Sequence, residues 1–464
     1  MSKIKGAVVV NTERCKGCNL CVVACPTQTL ALTTGEVNHK GYAYCYMAQP
    51  DSCIGCSSCA IVCPDGCISV YKQSSAPART AKEEPKFEST ATPIPTPQIE
   101  EGEPEVVLMK GNEAIAHAAI RCGCDGYFGY PITPQSEVLE TLAELKPWET
   151  TGMVVLQAES EVASINMLYG GGGTGKRVMT SSSSVGIALM QEGISYMAGA
   201  EVPGLIVNVQ RGGPGLGTIQ PSQSDYNQAT RGGGNGDYNV IVLAPNSVQE
   251  MADFVDLGFN LAFKYRNPVM ILADGVIGQM MEKVVLPPYK RRRTEEEIAQ
   301  ECPWAANGHG LKKRNINVIT SLELDPAVME THNLHLQKKY QEVKDNEVRY
   351  ELSDCEDMDY LIVAFGSAAR ISQKAISIAR ENGMKVGLFR PITLWPFPTK
   401  EIAEMTKKVK GILTVEINAG QMVFDVRAAV EGAVPVHHFG RLGGIVPDPD
   451  EIIEALHKLE AESK

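Results

Sequence analysis

Two cysteine runs near the N-terminus constrain this chain more than any other feature. They read Cys15-x-x-Cys18-x-x-Cys21-x-x-x-Cys25-Pro and Cys53-x-x-Cys56-x-x-Cys59-x-x-x-Cys63-Pro, one spacing written twice at an offset of 38 residues. This spacing is typical of two-cluster iron–sulfur domains, in which the fourth cysteine of each run binds the other cluster. The pattern predicts two [4Fe–4S] clusters, with the ligand sets Cys15, Cys18, Cys21 and Cys63 for the first and Cys53, Cys56, Cys59 and Cys25 for the second.

Disulfides and zinc are the alternatives for these cysteines. Residues 1–5 carry no apolar export signal, and the six other cysteines form no regular framework, so we expect a reducing cytoplasm. A zinc ion takes one set of four ligands, whereas each run offers a triple with a remote fourth cysteine. We expect Cys45 and Cys67, which lie among the ligands in sequence, to be ordinary buried thiols.

Composition limits the class of protein. The chain has 464 residues, of which 44% are hydrophobic, and no apolar run reaches the length of a membrane span. Its net charge of -12 argues against nucleic-acid binding, which needs a basic surface. The basic run Lys290 to Arg293 precedes Glu295 to Glu297 and is interpreted as a solvated helix start or linker. We expect a cytoplasmic protein that binds neither nucleic acid nor membrane.

Hydrophobic periodicity divides the chain into five segments. Residues 1–73 are predicted to form a small α+β, two-[4Fe–4S] ferredoxin-like domain, and 74–104, rich in Pro, Ser, Thr and Glu, a flexible linker. Residues 105–286 and 357–464 alternate strand and helix patterns, which indicates two α/β domains with doubly wound parallel sheets. Residues 287–356 are predicted to connect them and to contain a helix.

Several polar residues fall at the predicted carboxyl ends of strands, where doubly wound sheets bind ligands. Thr133 stands between two prolines and could present its hydroxyl, or belong to a plain turn. Glu159 and Glu161 could transfer protons, or simply favour a helix N-terminus. Arg211 suits a substrate carboxylate because a guanidinium binds it through two hydrogen bonds, although a structural ion pair is equally compatible with the sequence.

Two glycine-rich stretches do not match nucleotide-binding patterns. Gly170 to Lys176 is followed by Arg177, where a phosphate-binding loop needs Ser or Thr, and it follows a helix instead of a strand. We expect a flexible turn there. Gly212 to Thr218 lacks the helix that follows a dinucleotide-binding loop.

These residues together identify a family resemblance. From about residue 106 to the end, the chain resembles the α subunit of thiamin-diphosphate-dependent 2-oxoacid:ferredoxin oxidoreductases, and among them the 2-oxoisovalerate type most. The N-terminal domain resembles the two-cluster ferredoxin subunit of the same complexes. The matching segments are Tyr130–Pro134, Gln157–Glu161, Val209–Arg211, Arg390–Pro398 and Glu416–Gln421.

The resemblance implies a pyrimidine-binding domain followed by a transketolase C-terminal-like domain. In the family, a glutamate hydrogen-bonds the cofactor's aminopyrimidine ring; Glu159 matches its position best and Glu161 second. Thr133 and Arg211 match the residues that hold the substrate carboxylate. The remaining residues implied to contact the cofactor are Tyr130, Pro131, Thr180, Ser182 and Ser183.

The family's Gly-Asp-Gly signature for the cofactor diphosphate and Mg²⁺ is missing from this chain, and Gly234 to Asp237 has the wrong order. The resemblance therefore implies a β subunit that supplies the other half of the thiamin diphosphate site. It also implies a γ subunit, coenzyme A as cosubstrate, a soluble ferredoxin as electron acceptor and a higher-order hetero-oligomer.

The expected reaction is oxidative decarboxylation of a 2-oxo acid to acyl-CoA and CO₂, with a branched-chain substrate such as 2-oxoisovalerate favoured. The same reaction on 2-oxoglutarate or pyruvate is one alternative. A non-catalytic subunit for electron transfer or scaffolding is another.

Overall fold

The computed structural model describes residues 6–72, 105–307 and 317–463. The chain divides into two compact units, one ending at Thr92 and the other beginning at Pro93. The predicted linker at 74–104 lies outside the described residues. No helix in the described ranges is long and apolar enough to cross a membrane.

The first unit is built from short elements around the cysteine runs. Strand β1 pairs antiparallel with β4, and β2 pairs antiparallel with β3. The elements are β1 (Gly6–Val10), α1 (Leu20–Val23), β2 (Leu30–Leu32), β3 (Cys45–Met47), a 3₁₀ turn (Pro50–Ser52), α2 (Ser58–Ile61) and β4 (Ile68–Lys72).

The two halves of this unit repeat in backbone as well as in sequence. Gly17 and Gly55 occupy the same place in the two runs and have φ of 67° and 64°. Asn19 and Ser57, two residues further on, both have φ of 65°. These left-handed residues turn each run sharply before its short helix. Most of the buried core consists of cysteines, so cluster binding must contribute much of the folding free energy.

The second unit contains two parallel-based sheets and a separate ribbon. Its first part comprises β5 (Glu105–Lys110), α3 (Gly111–Arg121), β6 (Gly126–Gly129), α4 (Ser136–Leu145), α5 (Pro147–Thr150), β7 (Val154–Gln157), α6 (Glu161–Gly173), β8 (Val178–Ser182), α7 (Ser184–Gly199), β9 (Gly204–Gln210), α8 (Tyr226–Arg231), β10 (Ile241–Leu243), α9 (Val248–Tyr265), β11 (Pro268–Asp274), α10 (Gly275–Gln279), β12 (Met281–Leu286) and α11 (Glu295–Glu301). Its second part comprises α12 (Pro326–Asn346), β13 (Tyr350–Ser353), β14 (Tyr360–Ala364), α13 (Gly366–Glu381), β15 (Val386–Pro391), β16 (Thr393–Trp395), α14 (Thr399–Met405), β17 (Gly411–Glu416), α15 (Met422–Val430), β18 (Val436–Gly440) and α16 (Pro449–Glu462).

The larger sheet has seven strands in the order β16-β10-β11-β9-β8-β6-β7, and its neighbours are parallel except for the β16–β10 pair. Strands β9 and β11 are buried along their whole length, which requires helices on both faces. Helix α3 packs against α9, and α6 packs against α7. Strands β5 and β12 form an antiparallel ribbon.

The smaller sheet has the order β13-β15-β14-β17-β18. Its strands are parallel apart from the edge strand β13. The fold class predicted from sequence, a ferredoxin-like domain followed by parallel-sheet α/β domains, is therefore confirmed.

Strands β13 and β16 cross the predicted domain boundaries. Strand β13 belongs to the predicted connecting segment 287–356, yet it pairs with β15 of the smaller sheet. Strand β16 belongs to the predicted domain 357–464, yet Trp395 pairs with Val242 at the edge of the larger sheet. The five-segment division remains a prediction. Each sheet takes one strand from a segment predicted to lie outside it, so the two sheets are interleaved along the chain.

Two local predictions were wrong. Gly170–Gly173 form the last turn of α6 and not a flexible turn. A side chain at Gly172 would overlap the Pro203 carbonyl, so glycine lets this helix approach the following connection closely. The glycine-rich sequence from Arg211 to Asp237 predicts one long loop, but this segment contains the short helix α8.

The basic run before α11 is neutralised within the chain. Lys290 pairs with Asp256 at 2.7 Å, Arg292 with Asp125 at 3.2 Å and Arg293 with Glu301 at 3.1 Å. These pairs hold the run against helix α9, against the turn before β6 and against helix α11.

Candidate functional site

Four strands of the larger sheet end beside the predicted site residues. Strands β6, β7, β8 and β9 are parallel and end at Gly129, Gln157, Ser182 and Gln210. The residues that follow them therefore share one edge of the sheet.

Arg211 and Thr133 lie in direct contact at this edge. Arg211 is 9% exposed, and its Nη1 donates to the Thr133 carbonyl oxygen at 3.0 Å. Its Nη2 donates to the Leu216 carbonyl oxygen at 3.0 Å, while Nε is buried without a partner among the described residues. Both Nη bonds go to backbone carbonyl oxygens, and among the described residues no carboxylate forms a salt bridge with this guanidinium.

Hydrogen bonds from the side chains of Asn112 and Gln135 fix the backbone of the loop from Tyr130 to Pro134. Asn112 donates to the Pro134 carbonyl oxygen at 2.7 Å. Gln135 donates to the Tyr130 carbonyl oxygen at 3.2 Å and accepts a hydrogen bond from Ser181 at 2.5 Å.

The loop's outer residues remain accessible. Pro131 and Thr133 are exposed, and Tyr130 is half-buried. The Thr133 side chain is thus available to a ligand on a fixed backbone.

Glu159 and Glu161 differ sharply in burial. Ser160 caps α6, and its Oγ accepts from the Ala163 N–H at 3.2 Å. Glu161 is therefore the first residue of the helix and is 7% exposed, whereas Glu159 lies in the preceding turn and is exposed.

The Glu161 carboxylate lies against the first turn of α7. A Cβ on Gly186 would be 2.7 Å from Glu161 Oε1 and would overlap the Ser182 hydroxyl. The hydroxyls of Thr180, Ser182 and Ser183 are buried and have no hydrogen-bond partner among the described residues. Unpartnered buried hydroxyls cost free energy, so the Ser182 hydroxyl beside Glu161 suits a polar ligand group.

Three residues that the sequence did not single out connect Arg211 to α7. Ser184, at the start of α7, accepts from the Arg211 N–H at 3.0 Å and donates to Asp225 at 2.6 Å. Asn208 donates to the same Asp225 oxygen at 2.9 Å. Burial raises the pKa of Asp225, although the bonds from Ser184 and Asn208 lower it. Asn208 could have been noticed as a polar residue within the apolar strand β9, but Asp225 carries no comparable signal.

A cavity of about 470 Å³ adjoins Arg211 and Ser184. It lies between the loop after β9 and two segments of the smaller sheet's region. It is lined by Ser184, Val185, Ala188, Arg211, Gly213, Pro214, Gly215, Ser222, Ser224, Asp225, Gln228, Ile417, Asn418, Ala419, Gln421, Leu442 and Gly443. Ser184 and Val185 of the first turn of α7 line this cavity, and Gly186 of the same turn faces Glu161.

The first unit contains two small cavities that the cysteines surround. One is lined by Cys15, Cys18, Cys21 and Cys63, together with Cys67. The other is lined by Cys25, Cys53, Cys56 and Cys59. In the described ranges, no three His, Cys, Asp or Glu side chains converge as around a single metal ion. Each set instead encircles its cavity, and the donor sets fit two [4Fe–4S] clusters with exchanged fourth cysteines.

Family models match nearly the whole described chain. "Pyruvate flavodoxin/ferredoxin oxidoreductase, thiamine diP-bdg" matches residues 117–351, and "pyruvate:ferredoxin oxidoreductase core domain II" matches 358–452. A 4Fe–4S dicluster model matches residues 14–70.

Curated relatives point the same way. Ketoisovalerate oxidoreductase subunit VorB of Methanothermobacter marburgensis is 46% identical over 356 residues, covering 77% of this chain and 98% of that protein. 2-Oxoglutarate synthase subunit KorA of Methanothermobacter thermautotrophicus is 35% identical over 377 residues, covering 76% of this chain and 99% of that protein.

A solved structure also resembles the chain. The 2-oxoglutarate:ferredoxin oxidoreductase of Magnetococcus marinus, bound to 2-oxoglutarate, coenzyme A and succinyl-CoA, aligns with a TM-score of 0.67 at 29% identity. The alignment covers 76% of this chain and 65% of that chain. A split-gene transketolase shares the fold, with a TM-score of 0.50 at 13% identity over 77% of this chain and 99% of that chain.

These matches define an iron–sulfur oxidoreductase with a thiamin-diphosphate-binding domain. The chain belongs to the 2-oxoacid:ferredoxin oxidoreductase family, in which its relatives are named as subunits. The family resemblance predicted from sequence is thereby confirmed. Glu161 and the unpartnered Ser182 hydroxyl lie together beside Gly186, and their chemistry suits the hydrogen-bonding edge of an aminopyrimidine ring.

Proposed function

We propose that this chain is the α subunit, with a fused two-cluster domain, of an oxidoreductase that converts a branched-chain 2-oxo acid to acyl-CoA and CO₂ while reducing a soluble ferredoxin. The observation that carries the proposal is that Glu161 and Arg211 both lie against the first turn of α7, which lines a cavity of about 470 Å³. Thiamin diphosphate, bound with Mg²⁺ between this chain and a β subunit, would supply the carbon nucleophile that attacks the 2-oxo group.

Glu161, and not Glu159, is assigned to the aminopyrimidine ring in this proposal. A carboxylate that exchanges a hydrogen bond with a ring nitrogen must lie in a site closed to water. Glu161 is 7% exposed and rests against α7, whereas Glu159 is exposed. The role that the family resemblance implied first for Glu159 is therefore assigned to its neighbour.

Arg211 and Thr133 are assigned to the substrate carboxylate. Arg211 has an unpartnered Nε on its buried guanidinium, and Thr133 is an exposed side chain on an anchored loop. Ser184 and Asp225 fix the backbone that carries Arg211. We assign Tyr130, Pro131 and the hydroxyls around Gly186 to the cofactor's surroundings.

The cavity lining favours an apolar substrate side chain. Val185, Ala188 and Leu442 contribute apolar surface, together with Pro214 and Ile417. Among the described lining residues, Arg211 is the one cation, so the second carboxylate of 2-oxoglutarate would lack a counter-charge, and Asp225 would repel it. This supports a branched-chain acid over 2-oxoglutarate, the substrate class of the relative that is 35% identical.

Exposed apolar side chains beside the cavity support a partner subunit. Leu216 and Ile219 on one loop are 82% and 56% exposed, and Leu442 and Ile445 on another are 60% and 51% exposed. The two loops touch where Gly444 meets Gln220. Together with the missing Gly-Asp-Gly signature, these exposed apolar side chains favour the binding of a β subunit at this edge of the larger sheet. A γ subunit completes the proposed cytoplasmic hetero-oligomer, and the two clusters carry electrons from the active site to ferredoxin.

The test is to assemble the native complex anaerobically and measure CoA-dependent viologen reduction with 2-oxoisovalerate, 2-oxoglutarate and pyruvate. We expect kcat/KM for 2-oxoisovalerate to exceed that for 2-oxoglutarate by about tenfold or more, because an unpaired second carboxylate is costly in an apolar cavity. The chain without its β subunit serves as the control and should be inactive. A preference for 2-oxoglutarate or pyruvate would refute the substrate assignment alone. Inactivity with every acid would favour the scaffolding alternative.

A further inference from the structure

Cys67 is a fifth cysteine at the cavity of the first cluster. It is 6% exposed and lies outside both ligand sets, yet it lines the cavity that the first set surrounds. Its Sγ lies 3.4 Å from the Sγ of Cys63, the fourth ligand of that set. The expectation that Cys67 is an ordinary buried thiol therefore needs revision.

The internal repeat shows that this contact has a counterpart with different chemistry. The offset of 38 residues maps Cys63 onto Cys25 and Cys67 onto Thr29. The Thr29 N–H donates to Cys25 Sγ at 3.2 Å. The position four residues after the fourth ligand thus touches the ligand sulfur in both halves, through a backbone N–H in one half and through a side-chain thiol in the other.

Iron binding decides which of the two thiols, Cys67 or Cys63, donates the hydrogen bond between them. A cysteine that binds iron is a thiolate and has no proton to donate. Cys67 binds no iron in the assigned sets and keeps its S–H, so it must be the donor. A hydrogen bond to a ligand sulfur stabilises the more negative, reduced cluster and raises its reduction potential.

We propose that the Cys67 thiol donates a hydrogen bond to the Cys63 thiolate and raises the potential of the first cluster. Cys67 is then a positioning residue that makes the two clusters electronically distinct, although their ligand spacings are identical. The inference concerns the clusters alone and stands whichever 2-oxo acid the complex uses.

The test compares the full-length chain with its Cys67→Ala, Cys67→Ser and Thr29→Val variants, using redox titrations followed by EPR. Cys67→Ala should lower one cluster midpoint and leave the other unchanged, with eight irons retained. Cys67→Ser should stay closer to wild type because a hydroxyl can still donate. Thr29→Val is the matched control: it removes the hydroxyl from the second half and should not move the midpoint that responds to Cys67.

Two results would overturn the proposal. If neither midpoint moves in Cys67→Ala, the thiol does not influence the cluster. If Cys67→Ala loses iron while Cys63→Ala retains it, Cys67 is the ligand and the assignment of the two is reversed. Should Cys67→Ala fail to assemble, resonance Raman spectra of wild type and Cys67→Ser in H₂O and D₂O decide. A wild-type Fe–S(Cys) band insensitive to deuterium would contradict a bond from the thiol.

Discussion

At the scale of single residues, Ser160 decides which glutamate enters the site. Its side chain caps α6, so Glu161 becomes the first helical residue and turns inward, while Glu159 stays in the preceding turn. Serine is among the residues most favoured at this position because its oxygen satisfies a free N–H of the first turn. One capping hydrogen bond thus separates a buried carboxylate from an exposed one.

Glu161→Gln and Glu159→Gln form a matched pair that tests this distinction. In the assembled complex, we expect Glu161→Gln to lower kcat by about 100-fold or more, since a general acid–base contribution is commonly of that size. Glu159→Gln should change kcat less than about threefold, because its side chain is exposed. The measurement is CoA-dependent viologen reduction, with visible cluster absorbance confirming intact iron–sulfur centres. Equal losses in the two variants would contradict the assignment.

Sequence patterns located much of this site but not its connections. Thr133 and Arg211 were found because each follows an apolar strand, where a parallel sheet brings strand ends together. Glu161 ranked second because Glu159 matched the position of the family's glutamate best, and the capping role of Ser160 was overlooked. Asp225 could not be found, since only the folded chain brings it to Ser184.

At the scale of elements, two glycines let α7 pack closely against its neighbours. Gly186 faces the Glu161 carboxylate, and Gly193, two turns later, faces Ile165 of α6. A Cβ at Gly193 would lie 2.7 Å from two carbons of Ile165. One helix therefore uses glycine to leave space for the Glu161 carboxylate at its start and for packing in its middle.

Alanine at these two positions should have different effects. Gly186→Ala should lower the kcat of the folded fraction by about 100-fold, because its Cβ would displace Ser182 and Glu161, and a shift of about 1 Å disturbs the geometry of the carboxylate. Gly193→Ala should instead lower the free energy of unfolding by about 1–3 kcal/mol through overpacking, while the folded fraction keeps its kcat. Thermal unfolding and steady-state kinetics on both variants check this. An inactive but stable Gly193→Ala variant would refute the division of roles.

Periodicity predicted the longer elements of this unit well and the short ones poorly. Helix α9 and strand β11 have clear patterns. The sequence predicts them at Val248 to Phe263 and Val269 to Ala273, within two residues of the observed bounds. Strand β16 has three residues before a proline, so its pairing depends on the tertiary contact with β10. Helix α6 continues through four glycines because close packing there outweighs their low helix propensity.

At the scale of the whole second unit, Asp274 joins the two sheets. It ends β11 and is 1% exposed. Its carboxylate caps α10 through the N–H groups of Val276 and Ile277, at 2.9 and 3.2 Å. It also accepts a 2.6 Å hydrogen bond from the Ser367 hydroxyl, at the start of α13 in the smaller sheet's region. Burial raises the pKa of Asp274, although these hydrogen bonds lower it.

The raised pKa predicts how stability depends on pH. Asp274 binds its proton more tightly in the folded chain than in the unfolded chain. Its stabilising contribution is therefore complete below the unfolded pKa and is lost as pH rises through the higher folded pKa. Asp274→Asn removes this titration. The unfolding temperature of the wild type minus that of the variant should therefore become smaller as pH rises. Ser367→Ala, which keeps the carboxylate, is the control. An advantage that grows with pH would contradict the burial argument.

The interleaving of β13 and β16 has a consequence for how such a chain can be divided. The two matched family regions meet between residues 351 and 358, close to β13, which suggests a natural point for gene fission or for exchanging halves between paralogues. Yet the larger sheet's edge strand lies beyond that point, at Thr393–Trp395. A separated first half would expose the unpaired edge of β10 and invite aggregation. A swap of halves at this boundary would therefore have to preserve the pairing of β16 with β10.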